Sequence, residues 1–183
     1  MTRVVGKGPD LALIHGWGLG SAVWEPLLPA LSARARVHLI DLPGYGEAAD
    51  DSGDFTATAQ TLIDALPNPV VLCGWSLGGM LAVRAAVLAP ERVNGLVLVG
   101  ATASFTQRGD WRVAQAPAVV DSFSASVRLQ PEQTLQRFVA LLSQGDNQAR
   151  AISRELLASL NRGPEPRIEA LGRGLDWLRE IDL

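Results

Sequence analysis

The chain is predicted to fold as an α/β domain, a mostly parallel sheet with helices on both faces. Three observations carry that prediction. Compact apolar runs at residues 11–15, 36–41, 69–73 and 93–100 read as strands, those at 11–15 and 69–73 in the interior. Helical periodicities separate them. A Gly-x-Ser-x-Gly corner at residues 74–78 leads straight from the third run into a helix. After Ala103 the alternation stops and helical patterns follow alone, so residues 1–103 are expected to form the sheet-bearing core. Residues 104–183 are expected to form a helical lid and the start of a return to the core.

In chain order, Val4 and Val5 suit a short edge strand, joined through the turn Gly6-Lys7-Gly8-Pro9 to the strand at 11–15. A glycine loop, Gly16-Trp17-Gly18-Leu19-Gly20, follows. Ser21 is a candidate N-cap for a helix running to about Ala33, with Val23, Trp24, Leu27, Leu28 and Leu31 on one side and kinks expected at Pro26 and Pro29. The strand at 36–41 ends in the turn-rich Leu42-Pro43-Gly44-Tyr45-Gly46, and residues 47–54 read as an acidic surface loop. Ala59, Leu62, Ile63 and Leu66 at helical spacing mark a helix over 55–66, which Pro67-Asn68-Pro69 breaks. The helix after the corner carries Met80, Leu81, Val83, Ala86 and Val87 and stops near Pro90. Residues 104–115 are polar and contain Trp111. Apolar residues at i, i+3, i+4 and i+7 then predict helices over 131–143 and 147–160, and a last one carries Ile168, Leu171, Leu175 and Leu178.

The totals exclude several functions. A net charge of −3 gives no global drive towards nucleic acid. No apolar run reaches the length of a membrane span, and the start of the chain lacks the apolar stretch of a signal peptide. The single cysteine, Cys73, rules out an internal disulfide and suits a reducing, cytoplasmic compartment. Nothing in the sequence calls for a metal or cofactor.

The chemistry gathers at the corner. A serine in a tight strand-to-helix turn has its hydroxyl pushed out above the sheet, and the new helix turns free N–H groups and its positive end towards a developing oxyanion. Ser76 is therefore the candidate nucleophile. The N–H groups of Leu77 and of Trp17, in the glycine loop, are the candidate oxyanion donors. The loops at 15–17, 41 onward, 76 and 101–103 all follow strand C-termini and should share one edge of the sheet. A general base is not evident. The chain has two histidines; His15 precedes the glycine loop, His38 lies inside a strand, and none follows Ser76. A competing reading takes Gly16-x-Gly18, a helix and Asp41 as a dinucleotide-binding unit. Ser21 stands at its third glycine position, and that reading leaves the Ser76 corner unexplained.

Taken together, His15-Gly16-Trp17-Gly18, Asp41-Leu42-Pro43-Gly44-Tyr45-Gly46, Gly74-Trp75-Ser76-Leu77-Gly78-Gly79 and Pro90-Glu91-Arg92-Val93 resemble the α/β-hydrolases. The Trp-Gly-Leu loop, the Gly-Trp-Ser-Leu-Gly-Gly corner, Trp111 and the helix containing Gln136-Arg137-Phe138-Val139-Ala140-Leu141 are similar to the pimeloyl-acyl-carrier-protein methyl ester esterases of biotin synthesis. That resemblance implies a serine carboxylesterase without a cofactor. Ser76 would be the nucleophile, Trp17 and Leu77 would bind the acyl oxygen, and Phe138, Val139, Ala140, Leu141 and Leu142 would line the acyl channel. Arg137, Arg150 and Arg154 would meet the acidic carrier protein, while another such position reads Gln133. Members of that family carry their acid and histidine on further strands, so this chain is expected to lack the C-terminal strands of the fold and to expose an apolar sheet edge. The alternatives are a binding module for acyl carrier protein that does not hydrolyse, and a hydrolase of small esters with no carrier partner.

Overall fold

The computed structural model describes residues 2–50, 53–162 and 164–183. Five strands form one sheet: β1 (Thr2–Val5), β2 (Asp10–Ile14), β3 (Arg36–Ile40), β4 (Val70–Trp75) and β5 (Val93–Val99), in the spatial order β1-β3-β2-β4-β5. β1 runs antiparallel to β3 at one edge, and the other pairs are parallel. The parallel register places the ends of β2, β3, β4 and β5 on one side of the sheet. The loops expected to converge there do so.

Helices α1 (Leu28–Ser32), α2 (Phe55–Asp64) and α3 (Leu77–Leu88) connect the strands. Asp54 caps α2 by accepting from the Ala57 N–H at 2.7 Å. The helix expected from Ser21 is instead two pieces. Residues Ser21–Leu27 form a 3-10 helix with Gly20 at its N-cap, and α1 takes over at Leu28. Pro26 lacks the N–H that an α-helix of this length would require, which suits the tighter form. In α3 the buried side is Leu77, Met80, Leu81, Ala82 and Ala85, while Val87 is exposed, so the expected apolar face is rotated. Of the acidic loop expected over 47–54, Asp51 and Ser52 lie outside the described residues, as does Met1.

The segment after β5 contains a helix that the sequence reading left out, α4 (Pro117–Leu129). It is followed by α5 (Pro131–Leu142), α6 (Ala149–Leu160) and α7 (Ile168–Glu180). α4 packs on α5 and α7, α5 on α6, and α6 reaches the 3-10 helix at Ser21–Leu27. The largest buried apolar cluster joins the two parts of the chain: Trp17, Leu72 and Leu77 pack in it with Val127, Leu171 and Leu175. At the β5 edge the side chains of Leu96, Val97, Leu98 and Val99 are each 40–48% exposed. Among the described residues no helix is long and apolar enough to cross a membrane.

Candidate active site

Ser76 sits between β4 and α3 at φ 53°, ψ −116°, the one positive φ outside glycine among the described residues. Such a backbone costs on the order of 1–3 kcal/mol and persists only where its surroundings over-determine it. Here they do. The Ser76 N–H donates to the Val99 carbonyl at 2.8 Å, and its own carbonyl accepts from Gly79 and Met80 at 2.9 and 3.1 Å. A Cβ on Gly74 would stand 2.5 Å from the Gly79 Cα, and one on Gly78 would stand 2.5 Å from the Ile14 and His15 carbonyl oxygens. Only glycine lets the strand, the helix and the neighbouring β2 end approach this closely.

Gly16 lies against the corner, its Cα direction facing the Trp75 carbonyl and the Ser76 side chain. The glycine loop is thus beside Ser76; Trp17 lines the same cavity as Ser76, and Leu77 follows it in the chain. His15 holds the loop's entrance. Its Nε2 accepts the Leu42 N–H at 3.0 Å, so the ring is neutral and its Nδ1–H donates to the Gly16 carbonyl at 2.8 Å. Burial lowers its pKa, against the opposing influence of the Gly16 bond and the Asp41 charge. Both nitrogens are occupied, and His15 is fully buried. His38 is paired with Asp10 at 2.6 Å. It is level with Leu72, since both face Ala12, and so stands four residues, about 13 Å along the strands, behind Ser76. Neither histidine is placed to take a proton from Ser76.

Tyr45 holds the loop's exit. Its hydroxyl accepts the Gly18 N–H at 3.2 Å and its ring lies 4.8 Å from that of His15. Burial raises the phenol's pKa, so it remains protonated. Asp41 accepts the Ser21 N–H at 2.8 Å. That carboxylate ties the end of the glycine loop to the segment after β3.

An apolar cavity of about 480 Å³ opens over Ser76. Trp17, Trp75 and Gly100 line its floor, and Phe105, Val120 and Phe123 one wall. Phe138, Leu141, Leu142, Leu175 and Leu178 complete it. Of the five channel residues expected on α5, Phe138, Leu141 and Leu142 face this cavity. Val139 and Ala140 do not: Val139 is fully buried within the lid, and Ala140 opens onto a shallow groove with Arg150 and Arg154. The helical turn explains the split, because residues at i, i+3 and i+4 share a face while i+1 and i+2 point elsewhere. Phe105, Phe123, Leu175 and Leu178 were not anticipated. The spacing of Val120, Phe123 and Val127 was the available signal for α4. Arg137, Arg150 and Arg154 are exposed, and among the described residues none forms an ion pair.

The alpha/beta hydrolase family model matches residues 11–180. A pimeloyl-[acyl-carrier protein] methyl ester esterase of Photobacterium profundum is 44% identical over 179 residues, covering 97% of this chain and 70% of the relative. The protein of the same name from Nitrosomonas europaea is 40% identical over 183 residues, covering 99% of this chain and 72% of the relative. Among solved structures, an esterase from Exiguobacterium antarcticum superposes with a TM-score of 0.84 at 22% identity, over 99% of this chain and 69% of that one. A bromoperoxidase from Bacillus anthracis does so with 0.79 at 20% identity, over 99% of this chain and 70% of that one. At such identities the structural likeness speaks for the fold alone.

Proposed function

The chain belongs to the alpha/beta hydrolase family, and from that premise we propose that it acts as a serine carboxylesterase on the methyl ester of a pimeloyl group carried by acyl carrier protein, a step of biotin synthesis. The observation that carries this reading is Ser76, held at a strained strand-to-helix corner on the floor of an apolar cavity. The relatives' printed names supply the substrate. In this reading Ser76 Oγ attacks the ester carbonyl carbon. The carbonyl oxygen becomes an oxyanion and accepts the N–H groups of Leu77 and Trp17. Collapse expels methanol and leaves an acyl-Ser76 ester, which water then hydrolyses. The apolar wall of Phe123, Phe138 and Leu141 suits a methylene chain, and the exposed arginines Arg137, Arg150 and Arg154 suit an acidic carrier. The proton of Ser76 needs an acceptor in the attacking step, and this chain's two histidines do not provide it. Turnover by the 183-residue chain is therefore expected to be slow by orders of magnitude.

A second reading draws on the exposed arginines Arg137, Arg150 and Arg154, which suit an acidic carrier: a module that binds acyl carrier protein without hydrolysing its cargo. One experiment separates the two. The chain and its Ser76→Ala variant are incubated with methyl-pimeloyl carrier protein, and released methanol and carrier binding are measured together. Methanol release that depends on Ser76 supports the esterase. Binding without release, weakened severalfold by Arg150→Glu, supports the module. Hydrolysis of free methyl esters with no carrier binding would point to a general small-ester hydrolase.

A further inference from the structure

The two candidate oxyanion residues meet at a third. α7 crosses the site with Gly174 facing inward, and a Cβ there would lie 2.6 Å from Trp17 Cδ1, 3.2 Å from Trp17 Nε1 and 3.4 Å from Leu77 Cδ2. One turn earlier on the same helix, the Leu171 carbonyl accepts the Trp17 indole N–H at 2.8 Å. Leu175 and Leu178, on the same side, line the cavity. The indole is further packed against the rings of Phe123 and Phe138, at 5.0–5.4 Å between centroids.

α7 is itself anchored to the loop that holds the glycine loop from the other side. Arg167 N–H donates to the Gly44 carbonyl at 3.0 Å, and Arg173 pairs with Asp50 and donates to the Pro43 carbonyl at 3.2 Å. Next to these contacts Tyr45 accepts the Gly18 N–H. The closeness at Gly174 thus goes with contacts that tie α7 to the loop after β3.

We propose that Gly174 is a positioning residue for the oxyanion site: by letting α7 rest on both Trp17 and Leu77, it sets the separation of the two backbone donors on either side of Ser76. The inference rests on the reading of those N–H groups as the oxyanion donors. A methyl group at 174 pushes on the Trp17 indole, and the shift passes to the loop backbone because the ring is held on its other faces. Displacement of a donor by less than an ångström is enough to weaken stabilisation of a tetrahedral anion while leaving a planar ligand unaffected.

The test uses two probes of the same chain length on the full 183-residue protein. Hexylboronic acid adds Ser76 Oγ to its trigonal boron, giving a tetrahedral boronate anion while the hydroxyl proton passes to solvent; the change is read by boron NMR. Heptanamide stays planar and forms no adduct. Gly174→Ala should weaken the tetrahedral complex by about 10- to 100-fold and shift heptanamide affinity by no more than about twofold. Equal loss of both affinities, or loss of neither, overturns the proposal. Should Gly174→Ala fail to fold, Trp17→Phe provides the second arm. It removes the indole bond to Leu171 and the contact with Gly174, and it should show the same split in weaker form; an unsplit response overturns the proposal equally. The Ser76→Ala variant guards the underlying reading. If the wild-type boron signal is tetrahedral and survives in Ser76→Ala, the assignment of the site fails and the inference falls with it. If the adduct needs Ser76 but ignores residue 174, the inference alone fails.

Discussion

The serine corner and the glycine loop face each other across one site, yet they are held in different ways. The corner is held by main chain, that of its own turn and that of the neighbouring β2 and β5. Gly74, Gly78 and Gly79 pack against one another and against the end of β2, and every hydrogen bond at Ser76 is between main-chain groups. The loop is tied to distant parts of the chain by hydrogen bonds with a side chain at one end: His15 accepting from Leu42, the Tyr45 hydroxyl accepting from Gly18, Asp41 accepting from Ser21, and the Trp17 indole donating to the Leu171 carbonyl. A nucleophile needs one atom in one place, which a local turn can provide. An oxyanion site needs two donors from different parts of the chain at a set separation, which only tertiary packing can provide.

The contrast predicts that damage to the corner is structural and damage to the loop graded. Gly78→Ala should be the most severe change. Its Cβ would meet two carbonyl oxygens of the β2 end, and backbone cannot step aside as a side-chain tip can. Destabilisation of at least about 3 kcal/mol is expected in urea unfolding. A substitution tolerated within about 1 kcal/mol would break the distinction. Tyr45→Phe should leave the Gly18 N–H buried without a partner and cost about 1–2 kcal/mol, with the fold intact by circular dichroism and boronate binding reduced. A loss of boronate binding without any change in stability would show that Tyr45 acts on the ligand and not on the loop.

His15 gives a gentler test. Its pKa is lowered in the folded chain from the ordinary value of 6.5, so the unfolded state binds the extra proton first as pH falls. Its contribution is present above about pH 6.5 and declines as pH drops below that value towards the folded pKa. The slope from this one group is at most about 1.4 kcal/mol per pH unit. Urea midpoints measured from pH 7.5 to 5 should fall in the wild-type chain and fall less steeply in His15→Gln; parallel curves would remove His15 from the account. The smallest effect is expected from Arg150→Glu, on the exposed face of α6. It should leave the unfolding free energy from urea titration within about 0.5 kcal/mol of wild type while lowering carrier-protein affinity.

The same contrast explains what could be read from the residues in order. The corner is contiguous, and its apolar run, its glycines and the helical pattern after them lie within a dozen positions. The strands of the sheet were equally legible, because buried parallel strands are continuous apolar runs between turns. α4 was not. Its serines and valines are weak helix formers, and Val120, Phe123 and Val127 make a sparse stripe that is persuasive only when Trp17 is seen against Phe123. The resemblance implies a channel role for the continuous stretch Phe138 to Leu142, Val139 and Ala140 included, whereas a helix distributes adjacent residues around its axis.

The sequence by itself determined the parallel α/β core, the strand-to-helix corner at Ser76 and the place of the glycine loop beside it. Each of these depends on residues that are neighbours along the chain or on periodicities that repeat within one element. The tertiary structure alone decided that α7 rests on both Trp17 and Leu77, which faces of α4, α5 and α7 line the cavity, and that neither histidine reaches Ser76. Trp17 and Leu171 are 154 positions apart, and the distance between such residues is set by how whole elements pack, a property carried by no short stretch of the chain.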